Sequence, residues 1–404
     1  MEQRPVLPPR SDLTRRHQRV IATAAVRGEH LVATVKQRVL VEVPPPADDP
    51  FYRVPEGLDA VAPGEVLDHR SVEIRSFRRE LDVDAWQVAF RSTGVQGEAT
   101  SGVATVMVPR RSAHRVRPLL SYQCAIDALG PTADPSYTLR HGDQLELPFV
   151  TRALRRGWAV VTTDYNGPQH AFCAFPLVAH FVLDGIRAAV ALEPAGLAGA
   201  ATPIGLWGYS GGALATLFAV ERQAAYAPEL DVVGAAAGGA GVDITSSPQM
   251  FEDGNLLSGI PFGAVIGVSR GFPDVDLRSV LTPRGRAMVD AAADMTMEEL
   301  VASFPFVRWS DHLTVPSVLD VPGMRAAFET GRLGQATPVT ALHLYHAVHD
   351  KYPPVEDVDR LVAHYRSEGV DVAYRRHRVG GHMAVSFAGA PGALRFLGER
   401  FGDR

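Results

Sequence analysis

A chain of 404 residues, 46% hydrophobic and 21% charged, holds ample apolar material for a sizeable core, which excludes disorder of the whole chain. Its 45 acidic against 40 basic residues leave a formal charge of −5, without the basic excess that a nucleic-acid-binding surface needs. No run of 18 apolar residues offers a stable membrane span, and two cysteines, Cys124 and Cys173, are too few for a disulfide framework or zinc cage.

Residues 1–50 are polar and basic, end in Pro44-Pro45-Pro46, and predict an N-terminal arm, partly helical across Leu13 to Leu40, followed by a stiff linker. Arg15-Arg16 superficially suggests a signal, but the apolar run from Val20 to Val26 is too short before Arg27 and Glu29. A cytoplasmic location is therefore expected, with secretion the alternative. The two cysteines are then expected to be reduced and buried, a single bond between them being the other possibility.

From Phe51 the texture changes. Ser71–Phe77 and Trp86–Ser92 have strand composition, and Gly102–Val108 alternates as a half-buried strand would. Strand candidates follow at Arg117–Gln123, Trp158–Asp164, Pro203–Tyr209, Val232–Gly238, Val339–Tyr345 and Val372–Val379. Helical periodicity lies between them at Leu183–Leu192, Gly212–Ala225 and Val355–Gly369. Such alternation predicts an α/β fold with a doubly wound, mostly parallel sheet.

Residues 245–337 break the rhythm and carry their own capped helix, Thr296 standing three residues before Glu299. They read as an inserted, largely helical cap. The sheet core is then 51–244 together with 338–404.

Gly-x-Ser-x-Gly occurs twice. Gly208-Tyr209-Ser210-Gly211-Gly212 lies between a short apolar run and a strong helix, the strand–turn–helix setting of a nucleophile elbow. Gly267-Val268-Ser269-Arg270-Gly271 leads into Phe272-Pro273-Asp274, so Ser269 reads as a cap-loop serine. Ser210 is the candidate nucleophile. Gly211 comes directly after it, so its amide can face a developing oxyanion.

A serine hydroxyl needs a base, and the base an acid that fixes its tautomer. In this fold class the chain order is Ser, then Asp or Glu, then His. His382, in the loop Val379-Gly380-Gly381-His382 after the last strand candidate, fits better than His343, His364 or His377, which fall on strands or a helix. Asp350, directly after Val339–Tyr345 and rigidified by Pro353-Pro354, is the candidate acid; Asp357 and Asp359 compete with it.

Beyond these motifs, Phe51-Tyr52 with Pro63-Gly64-Glu65-Val66-Leu67, Leu120-Ser121-Tyr122-Gln123 with Asp127, and Asp164-Tyr165-Asn166-Gly167-Pro168 carry a family likeness. So do Leu183-Asp184-Gly185-Ile186-Arg187, Tyr226-Ala227-Pro228-Glu229-Leu230 and Gly389-Ala390-Pro391. From about Phe51 to Phe401 the chain resembles the secretory lipases of the fungal lipase A type, an α/β-hydrolase family with bacterial members. The resemblance implies ester or lipase chemistry without cofactor or metal, a cap over the acyl site, and Ser210, Asp350 and His382 as triad. It also implies Asp127 and Gly211 as amide donors to the oxyanion.

Two departures stand out. Asp134 precedes Pro135-Ser136 where fungal relatives carry a cysteine, and relatives are typically secreted. The expected partner is a small-molecule or lipid ester, with contact to a lipid interface possible. An acyltransferase using the same triad, or a ligand-binding protein on a hydrolase scaffold, are the alternatives. Met250, Phe251, Leu256, Leu257, Ile260, Phe262, Ile266 and Phe272 offer apolar surface for an acyl pocket or for the cap's own core.

Overall fold

The computed structural model describes residues 40–243, 248–350 and 353–403. Chain contacts divide the molecule after Glu42, and the unit from Val43 onward holds the sheet and its helices. The helix expected over 13–40 lies outside the described residues, Leu40 apart.

The elements run β1 (Val66–Ser71), β2 (Arg75–Ser76), β3 (Arg79–Glu80), β4 (Val83–Thr93), β5 (Ala99–Pro109), β6 (Leu119–Gln123), α1 (Pro135–His141), α2 (Leu147–Arg155), β7 (Ala159–Thr163) and α3 (Phe175–Ala191). They continue with β8 (Ile204–Tyr209), α4 (Gly211–Tyr226) and β9 (Val232–Gly238). Next come α5 (Gly259–Gly271), α6 (Pro283–Ala291), α7 (Met297–Ser303) and α8 (Met324–Thr330), then β10 (Leu342–Ala347), α9 (Val355–Ser367), β11 (Val372–His377) and α10 (His382–Phe401).

Among the described residues nine strands form one sheet in the order β1-β4-β5-β7-β6-β8-β9-β10-β11. Pairing is antiparallel from β1 to β7 and parallel from β7 to β11. Successive side chains feed two cores, because alternate residues of a strand face opposite sides. Leu119, Val161, Ile204 and Leu206 pack with α3, α4 and α9, whereas Leu120, Val160 and Trp207 pack with α2 and α10. Both faces are covered over the middle of the sheet, so the inner parallel strands β6, β7 and β8 are buried throughout, whereas the edge strand β11 is largely exposed.

Two strand expectations change in detail. Ser71–Phe77 is not one strand: β1 ends at Ser71, and β2 turns straight back on β3, with Phe77 in the left-handed region (φ 52°). The segment expected as half-buried, Gly102–Val108, is buried almost throughout, since β5 lies inside the sheet between β4 and β7.

Residues 248–333 return no strand to the sheet among the described residues. Helices α5, α7 and α8 build a third cluster around Phe262, Trp309 and Met324, into which Leu129 and Phe172 of the sheet side insert. The Thr296–Glu299 capping box is present at the start of α7.

Candidate active site

Ser210 stands at the turn between β8 and α4 with φ 55° and ψ −120°, a strained conformation for a residue with a side chain. Its amide donates to the Gly238 carbonyl at 2.8 Å, which ties the turn to the neighbouring strand β9. The flanking glycines are required by space. A Cβ on Gly208 would lie 2.2 Å from the Gly212 carbonyl oxygen, and one on Gly212 would lie 2.0 Å from that of Gln123. Gly211 is the first residue of α4, so its amide has no partner within the helix and is aimed beside Ser210 by the helix start.

The structure brings Ser210, His382 and Asp350 together. The Ser210 hydroxyl lies 2.9 Å from His382 Nε2, and His382 Nδ1 lies 2.6 Å from Asp350 Oδ2. With the carboxylate accepting from Nδ1–H, Nε2 keeps its lone pair for the serine proton. Asp350 is on the turn after β10, its amide bonded to the Ala347 carbonyl, and its side chain is 6% exposed.

His382 is not in a loop. It is the first residue of α10, a 20-residue helix entered through Gly380 (φ 92°) and the extended Gly381. Pro391 sits inside that helix, which is why its sequence does not read as continuous. The competitors lie elsewhere: Asp357 pairs with Arg360, Asp359 accepts from the Tyr374 hydroxyl, and His343 stacks on Phe396.

Ser269 is likewise not in a loop. It lies in α5 and its hydroxyl donates to the Ile266 carbonyl. A Cβ on Gly267 would fall 2.4 Å from the Phe172 carbonyl oxygen, so this second motif serves close helix packing.

Asp127 lies against Gly211: a Cβ on Gly211 would be 2.2 Å from Asp127 Oδ1. Burial pushes the Asp127 carboxyl up to about 6, with His382 pulling it down and Glu298 adding to the rise. The loop carrying Asp127 is pinned by groups that sequence reasoning passed over. The Tyr165 hydroxyl donates to the Cys124 carbonyl at 2.6 Å and accepts from the Ile126 amide at 3.0 Å. Asn166 Nδ2 donates to the Ile126 carbonyl, and Glu146 accepts from the Ala125 amide and the Tyr122 hydroxyl. Downstream, Arg270 donates to the Leu129 and Ala293 carbonyls, tying the loop to the segment between α6 and α7. The only sequence signal of this brace is the Asp164-Tyr165-Asn166 motif, which by itself carries no partner.

Cys124 is buried and Cys173 half-buried, and both are free. Of the apolar residues considered for an acyl pocket, Phe251, Phe262 and Ile266 are consumed in the third cluster, while Leu256 and Leu257 are exposed.

The model of the secretory lipase family matches residues 135–404. The chain belongs to the secretory lipase family. It is 36% identical over 373 residues to a probable inactive lipase of Mycobacterium tuberculosis, spanning 89% of this chain and 83% of that one. It is 27% identical over 381 residues to a secreted triacylglycerol lipase of Malassezia furfur, spanning 89% and 80%. Among solved structures, that of Candida antarctica lipase A in its closed state superposes with a TM-score of 0.84 at 27% identity, covering 90% of this chain and 88% of that one. The fold is thus that of an α/β-hydrolase, and membership makes the chain a carboxylic ester hydrolase of the lipase class. The expected cytoplasmic location is corrected by the same findings: a secretory family and a secreted relative point to secretion. No helix among the described residues is long and apolar enough to cross a membrane.

Proposed function

We propose that this secretory lipase hydrolyses carboxylic esters of lipid alcohols, acylglycerols among them, through an acyl-enzyme on Ser210. The observation that carries the reading is the imidazole bonded on both sides, to Ser210 at 2.9 Å and to Asp350 at 2.6 Å. His382 takes the serine proton as Ser210 attacks the ester carbonyl, and the buried Asp350 stabilises the imidazolium. The amides of Asp127 and Gly211 bind the oxyanion; His382 then protonates the leaving alcohol and activates water for deacylation. The cap is residues 245–337, closing over the acyl chain.

One relative is named a probable inactive lipase. That description belongs to that protein; the reading for this chain is supported by Ser210 and Asp350 each lying within hydrogen-bond distance of His382.

Hydrolysis of p-nitrophenyl esters from acetate to palmitate, with Ser210→Ala beside the wild type, tests the reading. Loss of about six orders of magnitude in kcat is expected from removing the nucleophile. Turnover by Ser210→Ala at the wild-type rate would overturn it.

A further inference from the structure

The helix that begins at His382 turns an unusual face to solvent. In α10 the inward positions Val385, Gly389, Ala390, Ala393, Leu394 and Leu397 are buried against the sheet. The opposite face should then be polar, as on other surface helices. Instead its exposed positions over the first three turns are Met383, Ala384, Phe387, Ala388 and Pro391, and the first charged side chain is Arg395. Met383 is 70% exposed and Phe387 56%, while Val379, just before the helix, is 87% exposed. Phe387 also leans on α2, its ring 5.2 Å from that of Phe149. Single exposed apolar residues need no explanation, but a continuous row starting beside His382 does.

The edge of this row is cationic. Arg378 immediately precedes Val379, and Arg375 is exposed on the edge strand β11. Arg375 alternates with Tyr374, whose hydroxyl bonds Asp359 on α9, so it faces the α10 side of the sheet. No ion pair joins Arg375, Arg378 or Arg395 to a carboxylate among the described residues. An apolar helix face bordered by unneutralised arginines, in a chain whose formal charge is −5, has the character of a helix that lies on a membrane surface.

We propose that the outward face of α10, with Val379, docks on a lipid layer carrying anionic headgroups. Met383, Phe387 and Val379 enter the acyl boundary, and Arg375, Arg378 and Arg395 meet the headgroups. Charge complementarity selects this occupant: a second copy would bring like charges together, and residues 1–42 carry more basic than acidic side chains. The inference rests on the lipid-ester reading for its purpose, since it brings His382 and Ser210 to the layer that holds the substrate. The binding itself needs no turnover.

Vesicle sedimentation of the full chain carrying Ser210→Ala, with phosphatidylcholine alone or mixed with phosphatidylglycerol, tests it. Binding to the mixed vesicles is expected to exceed binding to the neutral ones and to weaken with salt. Val379→Ser with Phe387→Ser should lower the partition coefficient about tenfold or more, by the apolar area withdrawn. Arg375→Ser with Arg378→Ser should lower it about fivefold per arginine for mixed vesicles and little for neutral ones. Both double variants, made in the chain that keeps Ser210, should hydrolyse a soluble acetate ester within about twofold of wild type, which controls for folding. The proposal is overturned if the Val379→Ser, Phe387→Ser variant binds as well as its parent, or if the parent binds neither vesicle. A dimer dissociated by Phe387→Ser would overturn it in favour of a second copy. Vesicle binding without any ester turnover in the Ser210 protein would sink the hydrolase reading alone.

Discussion

Tyr209 grips His382 from beneath: its hydroxyl donates to the His382 carbonyl at 2.5 Å while its ring lies 5.1 Å from the imidazole. The residue next to Ser210 thus holds the first turn of the helix that carries His382. Burial raises the phenol well above its ordinary pKa, so it remains a donor at any working pH. Tyr209→Phe is expected to lower kcat about tenfold, the worth of one buried hydrogen bond, with KM nearly unchanged. Steady-state kinetics on a soluble ester check this; an unchanged kcat removes Tyr209 from the positioning of His382.

How far the site is legible in the sequence depends on the range of its contacts. Ser210 is legible because a strand, a glycine-framed serine and a helix succeed one another within about 25 residues of local pattern. Asp350 and His382 are legible from chain order and from the ends of β10 and β11. The helix beginning at His382 is not legible, since Gly380, Gly381 and Pro391 all read as breakers until packing against the sheet overrides them. Nor is the brace of Glu146, Tyr165 and Asn166 around residues 124–127, because each bond joins segments far apart in the chain. The second Gly-x-Ser-x-Gly motif reads as a loop but lies in α5 for the same reason: Gly267 answers to the backbone of Phe172, which no local reading can see.

Gly211 and Gly212 should fail in different ways when given a methyl group. At Gly212 the new carbon meets the backbone oxygen of Gln123 at 2.0 Å, and strand β6 cannot move aside. Gly212→Ala is expected to destabilise by about 2–3 kcal/mol, as overpacking of a rigid site does. At Gly211 the obstacle is the Asp127 carboxylate oxygen at 2.2 Å, on a side chain that can turn. Gly211→Ala is expected to fold with near wild-type stability but with kcat reduced about tenfold or more, because Asp127 and its amide shift. Urea denaturation and kinetics on both variants check the contrast.

Glu146 offers a pH test of the brace. Burial pushes its carboxyl up to about 7, against the bonds from Tyr122 and the Ala125 amide. The folded chain therefore holds this proton more tightly than the unfolded chain, whose Glu titrates near about 4.3. Its stabilising contribution is complete below that value and is lost as pH rises through about 7. Glu146→Gln removes the titration while keeping an acceptor for Ala125 and a donor for the Tyr122 oxygen. The variant should gain on the wild type in melting temperature as pH rises from about 4 to 7, with no further gain above. His170 and His343, both pushed down to about 4 by burial, weaken either protein in acid and cancel in the comparison. A gap independent of pH would show that Glu146 titrates alike in the folded and the unfolded chain.

His346 is a second imidazole near the Asp350 carboxylate oxygen that meets His382. It is fully buried on β10, its Nε2 donates to the Pro353 carbonyl at 2.9 Å, and the same nitrogen is 4.0 Å from Asp350 Oδ2. The bond ties β10 to Pro353, three residues after Asp350, and so bears on where the carboxylate sits. Burial lowers the His346 pKa, with His382 adding to the fall and the Pro353 bond and Asp350 opposing it. Neutral, it leaves the Asp350 charge to His382; protonated, it would compete for that charge. His346→Gln can still donate to Pro353 and is expected to keep kcat within about fivefold, whereas His346→Leu loses the donor and should lower kcat about tenfold to a hundredfold. KM should be nearly constant in both, because neither change reaches the acyl chain. The pH–kcat profile separates positioning from bulk stability: in His346→Leu its acid limb should move as the Asp350–His382 bond loosens, and in His346→Gln it should stay in place. Equal losses in the two variants with unmoved profiles would make His346 a packing residue and nothing more.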